Sequence, residues 1–219
     1  MQSRRSWVLS LMTVLLVGFT FGGCGGGKKM LFNGKNFDGW QLYLDDPTVD
    51  VDTVWSVADG VIRCEGKPNG YMKTTATYSN YKLHVEWRWA ETPTNSGVLL
   101  HISGPDRVWP HTIEAQLAAG SAGDFVLIGQ GVNLTVNGKA YQTASQPFTS
   151  VESELPSSEK PPGQWNTYDI ICDGDRVALY VNGTLRNEGS AASKTSGWIA
   201  LQSEGSPIEF RNVYIEPLD

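Results

Sequence analysis

From Leu31 onward the chain carries apolar residues at every second position in short runs, and no long stretch repeats at the 3.6-residue period of an amphipathic helix. In Tyr81–Trp89 (YKLHVEWRW), Leu83, Val85, Trp87 and Trp89 fall on one side, and His84, Glu86 and Arg88 on the other. The same alternation sets His101 against Val98, Leu100 and Ile102 in Gly97–Ile102. It sets Glu114 and Gln116 against Ile113, Ala115 and Leu117 in Thr112–Leu117, and Gln202 and Glu204 against Ile199 and Leu201 from Trp198 on. Ile208–Ile215 reads as a further strand. Asp59-Gly60, Asp173-Gly174 and Asn182-Gly183 accept the positive φ of tight hairpin turns. Thr143–Gly163, rich in Ser, Pro and Glu, reads as a long loop. Short strands closely spaced without crossover helices predict one all-β domain, an antiparallel β-sandwich or jelly roll.

Each of these strands thus has an apolar face for the core and a second face of long polar groups. That second face offers His, Glu, Gln and Arg rather than the Thr, Ser and Lys usual on solvated sheets. We therefore expect a ligand-binding concave face gathering these groups from neighbouring strands. A plain outer face crossed by ion pairs, Glu86 with Arg88 for instance, is the alternative.

The first residues change the picture of where the domain works. Arg4 and Arg5 precede an apolar run from Trp7 to Phe21, about 15 residues, which suits a signal peptide and is short of the roughly 20 needed to span a bilayer. Gly22 and Gly23 then precede Cys24, as at the processing site of a lipoprotein, although Phe21 stands where Leu is usual; an ordinary cleaved signal is the alternative. The expected organisation is a leader over 1–23, a lipidated Cys24 opening a tether over 24–29, and the domain over 30–219. The protein would be exported to the cell envelope, touching the membrane only through the lipid. Loss of the leader removes two positive charges and no acid, taking the net charge from −6 to −8, which argues against nucleic acid. With Cys24 assigned to lipid, Cys64 and Cys172 remain as one cross-sheet disulfide or two buried free thiols.

Several segments in order resemble the 3-keto-disaccharide hydrolase family, whose fold is of the concanavalin A-like lectin and glucanase type. They are LFNGKNFDGW (Leu31–Trp40), the W-x-V-x-D-G hairpin (Trp55–Gly60), YKLHVEWRW, NSGVLLH (Asn95–His101) and IEAQL (Ile113–Leu117). PPGQWN (Pro161–Asn166), YVNG (Tyr180–Gly183), GWIALQSEG (Gly197–Gly205) and FRNVYI (Phe210–Ile215) follow. Two departures stand out: Glu204 occupies a position where many members carry His, and Ala118 and Ala119 stand where many carry Asp, with Asp124 appearing only later.

The resemblance implies cleavage of glycosides whose sugar is a ketone at carbon 3, by removal of the acidified C2 proton, expulsion of the group on C1 and addition of water. Such a route needs a base, an acid and a group to stabilise the enolate. Among the polar-face residues Glu114 is the leading acid or base, Glu86 the second carboxylate, with Arg88 and His101 as further catalytic candidates. Gln116, Gln202, Glu204, His84, Asn95 and Trp109 are candidates for binding a carbohydrate, Trp109 by stacking on a sugar ring. Carboxylates sharing a face with a histidine could also hold a divalent metal that polarises the ketone. A two-carboxylate glycosidase acting on unmodified sugars and a non-catalytic lectin-like module are the competing readings.

Overall fold

A computed structural model describes residues 27–219, so the leader, Cys24 and most of the tether lie outside the described residues. The strands are β1 (Lys29–Met30), β2 (Trp40–Leu44), β3 (Trp55–Ala58), β4 (Val61–Cys64), β5 (Gly70–Thr74), β6 (Tyr81–Trp89) and β7 (Gly97–Ser103). Then follow β8 (His111–Gln116), β9 (Phe125–Ile128), β10 (Asn133–Val136), β11 (Lys139–Gln142) and β12 (Phe148–Val151). The chain closes with β13 (Asn166–Asp173), β14 (Arg176–Val181), β15 (Thr184–Ser190), β16 (Trp198–Ser203) and β17 (Ile208–Pro217). A single 3-10 turn at Val51–Thr53 is the only helical element among the described residues.

The strands form two antiparallel sheets, the expected sandwich. One has ten strands in the order β11-β10-β15-β14-β13-β6-β17-β4-β3, with β1 added to β17; the other has seven in the order β12-β9-β8-β7-β16-β5-β2. Between them lies the core: Leu83, Val85 and Trp87 from β6 and Tyr168 and Ile170 from β13 meet Ile113 and Ala115 from β8 and Val98 and Leu100 from β7. Tyr168 crosses this core, and its hydroxyl donates to the Gln116 carbonyl of the opposite sheet at 3.4 Å.

The hairpins turn nearly where the sequence places them. Asp59 and Gly60, and Asn182 and Gly183, adopt positive φ, while the β13–β14 turn lies one residue later than expected, at Gly174 and Asp175, because Asp173 pairs with Arg176. Three expectations change. Thr143–Gly163 contains β12, which pairs with β9 through Phe148 and Ile128. The tether ends before residue 29, since Lys29 pairs with Ile215 and Lys28 donates to the Tyr214 hydroxyl at 3.0 Å.

Third, Cys64 and Cys172 are free, buried thiols. They sit in β4 and β13 of the same sheet with β17 and β6 between them, three strand spacings or roughly 14 Å apart, far beyond the reach of a disulfide. Along β6, moreover, Cys172 is level with Tyr81 whereas Cys64 is level with Trp89. Burial pushes both thiols up, to about 11 and about 12. We expect the thermal midpoint of the domain to be the same with and without dithiothreitol, and both thiols to react with a maleimide only after denaturation; a midpoint lowered by reductant would show a bond.

Candidate functional site

Because β8 must put Ile113, Ala115 and Leu117 into the core, its intervening residues Glu114 and Gln116 face away from it. On this outer face of the seven-stranded sheet Glu114 lies across from Leu99 of β7 and Val126 of β9, and Gln116 from Gly97 of β7. A cleft of about 200 Å³ opens here, lined by Asn95, Trp109, Glu114, Gln116, Glu204 and a wall from β9 and β12 that includes Val126, Ile128, Phe148 and Ser150.

Glu114 forms the floor. It is 3% exposed, and its Oε1 has no partner among the described residues. Burial, with a smaller contribution from the negative charge of Glu204, raises its pKa to about 8. The carboxyl fits only because Gly97 faces it: a Cβ on Gly97 would come within 2.0 Å of Oε1 and within 3 Å of Cδ and Cγ. Glu204, at the end of β16, is half-buried; burial raises its pKa too, while a hydrogen bond from Asn95 opposes the shift.

The loop before β7 holds Asn95 in place. Ser96 donates its hydroxyl to the Gln202 carbonyl at 2.8 Å, Thr94 Oγ1 accepts from the Ser206 amide at 2.7 Å, and the Leu117 amide donates to the Ser96 carbonyl at 3.0 Å. The segment is thereby stitched to the ends of both β16 and β8. Gln116 is fixed differently. Its Oε1 accepts from the amides of Leu117 and Ala118, both at 2.8 Å, so its NH₂ end is the one left to face a ligand. Asn95 Oδ1 and Gln202 Oε1, like Glu114 Oε1, are buried without a partner among the described residues. Of these, Asn95 and Glu114 line the cleft, and their unpartnered oxygens suit a ligand rich in hydroxyl groups.

The other candidates lie elsewhere. Glu86, Arg88 and His84 are on β6 of the ten-stranded sheet, on the face turned away from the core, so the whole sandwich separates them from Glu114. They form a lattice of ion pairs there. Glu86 accepts from Arg211 at 2.7 Å and Asn212 at 2.6 Å, Arg88 donates to Glu209 at 2.5 Å, and His84 is 2.9 Å from Asp169. Burial acts against the charge of Glu86, but Asn212 and Arg211 outweigh it and hold the carboxyl below its usual range. The salt-bridged outer face is therefore correct for this strand, with Arg211 and Glu209 as partners in place of a Glu86–Arg88 pair.

His101 is displaced by a bulge. The β7–β8 register shifts between Leu100 and Ser103, and His101 takes φ +55°. This turns the ring into the interior against Tyr81, at 5.5 Å between centroids, and sends Ile102 outward. The ring is 1% exposed; burial lowers its pKa, and Nδ1 donates to the Lys194 carbonyl at 3.0 Å. Asp124 also lies apart, accepting from the Ser153 amide at 2.8 Å to anchor the segment after β12. The carboxylate-plus-histidine face expected for a metal does not form around Glu114. Among the described residues no three His, Cys, Asp or Glu side chains are grouped to hold an ion.

Sequence reasoning missed a second part of this face. In β5 every residue is buried, so GYMKT shows no alternation to read. Tyr71 and Lys73 of that strand both donate to Asp106 Oδ1, the tyrosine at 2.7 Å, and Lys73 Nζ lies 4.7 Å from the centre of the Trp198 ring. Burial disfavours the Asp106 charge, yet these two donors prevail and keep its pKa low. The clamp ties down the loop between β7 and β8 that carries Arg107 and Trp109. Trp109 is 38% exposed and forms one wall of the cleft.

Residues 27–216 match the family model of the 3-keto-alpha-glucoside-1,2-lyase-like domain. The chain belongs to that family. A 3-keto-disaccharide hydrolase of Bacteroides thetaiotaomicron is 23% identical, the alignment covering 88% of this chain and 79% of that protein. A candidate glycosyl hydrolase of Parabacteroides distasonis superposes with a TM-score of 0.65 at 24% identity, over 88% of this chain and 94% of the other. The Bacillus licheniformis β-glucanase gives 0.55 at 15% identity, over 89% and 99%. A carbohydrate-binding module of Bacillus subtilis gives 0.56 at 15% identity, over 81% and 95%. These likenesses establish the concanavalin A-like sandwich.

The elevated Glu114 pKa has a consequence for stability. Between about pH 4.5 and 8 the unfolded chain has released this proton while the folded chain keeps it, so the group's contribution to stability falls as pH rises through that window. Glu114→Gln removes the effect. We expect the variant to gain on the parent by about 1.4 kcal/mol per pH unit across the window, read by denaturant unfolding at pH 4, 6 and 8. Parallel curves would show that Glu114 ionises normally.

Proposed function

We propose that the protein cleaves 3-keto-glycosides by elimination across C1 and C2 followed by hydration, with Glu114 as the acid and Glu204 as the base. The observation that carries this reading is the pair itself: two carboxyls on one cleft, the deeper held protonated at neutral pH by burial and the outer one relieved by Asn95. Environments that separate two titrating groups in this way assign the acid and the base. Family membership supports this substrate class.

The Glu204 carboxylate takes the C2 proton, and the C–H electrons flow into the ketone at C3 as an enolate. The enolate then forms the C1=C2 bond as the C1–O bond breaks, and the leaving oxygen takes the proton of Glu114. Water next adds at C1, giving a proton to the Glu114 carboxylate, while protonated Glu204 returns its own to C2. Both groups end as they began. The NH₂ of Gln116 is the donor for the enolate oxygen. Asn95 Oδ1 accepts from a sugar hydroxyl, and Trp109 and Phe148 supply apolar walls for the ring face.

Purified protein should turn over 3-keto-glucosides and leave the matching unoxidised glucosides intact. Turnover of the plain glucosides would instead favour a two-carboxylate glycosidase, and binding without turnover a lectin-like module. The two roles separate by leaving group. Glu114→Gln should lose at least 100-fold in kcat on a 3-keto alkyl glucoside but much less on a 3-keto p-nitrophenyl glucoside, whose departing oxygen needs no proton. Glu204→Gln should lose both alike. For the parent, kcat/KM should fall above about pH 8, as Glu114 loses its proton; a rate still rising at pH 9 would exclude Glu114 as the acid.

The leader is part of the same reading, since an exported lipoprotein would meet glycosides outside the cytoplasm. Cells expressing the full chain should incorporate radiolabelled palmitate into it, and Cys24→Ala should abolish the label. Undiminished labelling of that variant would refute lipidation at Cys24.

A further inference from the structure

A second recess adjoins the cleft, and Trp109 and Pro147 line both, so these two rings form the ridge between them. This groove measures about 580 Å³, against about 200 Å³ for the cleft, and its other walls include Arg107, His111, Gln130 and Gln146. His111, at the first position of β8, is packed against Gly129: a Cβ there would lie 1.9 Å from its Cδ2. His111 thus gives the groove one strand-borne wall, and the other lining residues come from the loops around it.

The two recesses differ in charge. Glu114 and Glu204 line the cleft with no cation beside them, whereas Arg107 and His111 line the groove with no acid. The nearest carboxylate along the chain, Asp106, is turned away and held by Tyr71 and Lys73. Arg107 forms no ion pair among the described residues. After burial itself, the positive charges of Arg107 and Lys194 lower the pKa of His111, which leaves Arg107 as the cation that lines this space. In a chain with 23 acidic and 17 basic residues, a groove lined by an arginine and no acid departs from the average surface.

We propose that this groove is the leaving-group subsite and that it selects leaving groups bearing an oxyanion, a carboxylate or a phosphate. The assignment rests on the function proposed above. A substrate lying across the Trp109 ridge has its ketone-bearing ring at Glu114 and Glu204 and its other half against Arg107. A negative substituent is repelled at the first end and paired at the second, so charge fixes which way the substrate lies. A guanidinium with free N–H groups binds either oxyanion in a forked geometry.

The free leaving groups test this without turnover. Calorimetry with glucose, glucuronate and glucose 6-phosphate should show at least one anionic sugar binding about tenfold more tightly than glucose, and the stronger of the two identifies the oxyanion. Arg107→Gln, with its fold checked by circular dichroism, should bring the anionic and neutral affinities within twofold of each other. On the parent protein alone, raising salt from 20 to 500 mM should erase most of the preference. Equal binding of all three sugars, or a preference that survives Arg107→Gln, overturns the proposal. Turnover of 3-keto-glycosides without preference for charged leaving groups likewise overturns it and leaves the reaction standing. Anion preference in binding with no turnover of any 3-keto-glycoside overturns the reaction and supports the groove as an anion site.

Discussion

The carboxyl of Glu114 is buried in the face of a sheet, and much of the surrounding structure serves to accommodate it. An ionised carboxylate there would be strongly disfavoured, so the group keeps its proton, with a pKa near 8. That outcome needs β8 to be pinned from behind, which the core residues Ile113 and Ala115 and the Tyr168 hydrogen bond to the Gln116 carbonyl provide. It needs room in front, which Gly97 provides by having no side chain. A second and wetter carboxyl, Glu204, adds a smaller push in the same direction. A folded state carrying such a group gives up stability at neutral pH, the usual relation between a reactive site and its scaffold.

Around this group the loops are fixed by hydrogen bonds rather than by packing alone. The Thr94–Ser96 segment is tied to two strand ends, and the loop bearing Arg107 and Trp109 is clamped by Asp106 to Tyr71 and Lys73 on β5. The rigid elements thus extend to the rim of the cleft. Preorganisation of this kind lets amide and carboxyl groups act without first being reordered by the ligand. The opposite face of the sandwich shows the other use of charged side chains. Glu86, Arg88, Arg211 and Glu209 neutralise one another there, and Trp165 lies under both guanidiniums, at 4.6 and 4.0 Å.

Alternation along a strand was legible wherever one face was core and the other was not. Tyr81–Trp89 reads correctly residue by residue, as do Glu114 and Gln116 on β8. It failed where both faces are covered, as in β5, and where a bulge breaks the period, as at His101. The β12 strand was obscured by its loop-like composition, though its pairing with β9 builds a wall of the cleft.

The sequence alone determined the all-β class, most of the turns, the inward set of the alternating strands that no bulge interrupts and the glutamate on the floor of the cleft. Those features depend on a period of two and on local turn chemistry, which neighbouring residues encode. Which sheet each strand joins was decided only in three dimensions. That choice put Glu86, Arg88 and His84 on one side of the molecule and Glu114, Glu204, Asn95 and Trp109 on the other, and left Cys64 and Cys172 apart. The reason is physical: alternation specifies whether a side chain faces the core, and both sheets of a sandwich share the same core. A polar residue facing outward from either sheet has an identical signature along the chain. Only the hydrogen-bonded order of the strands tells the two outer faces apart.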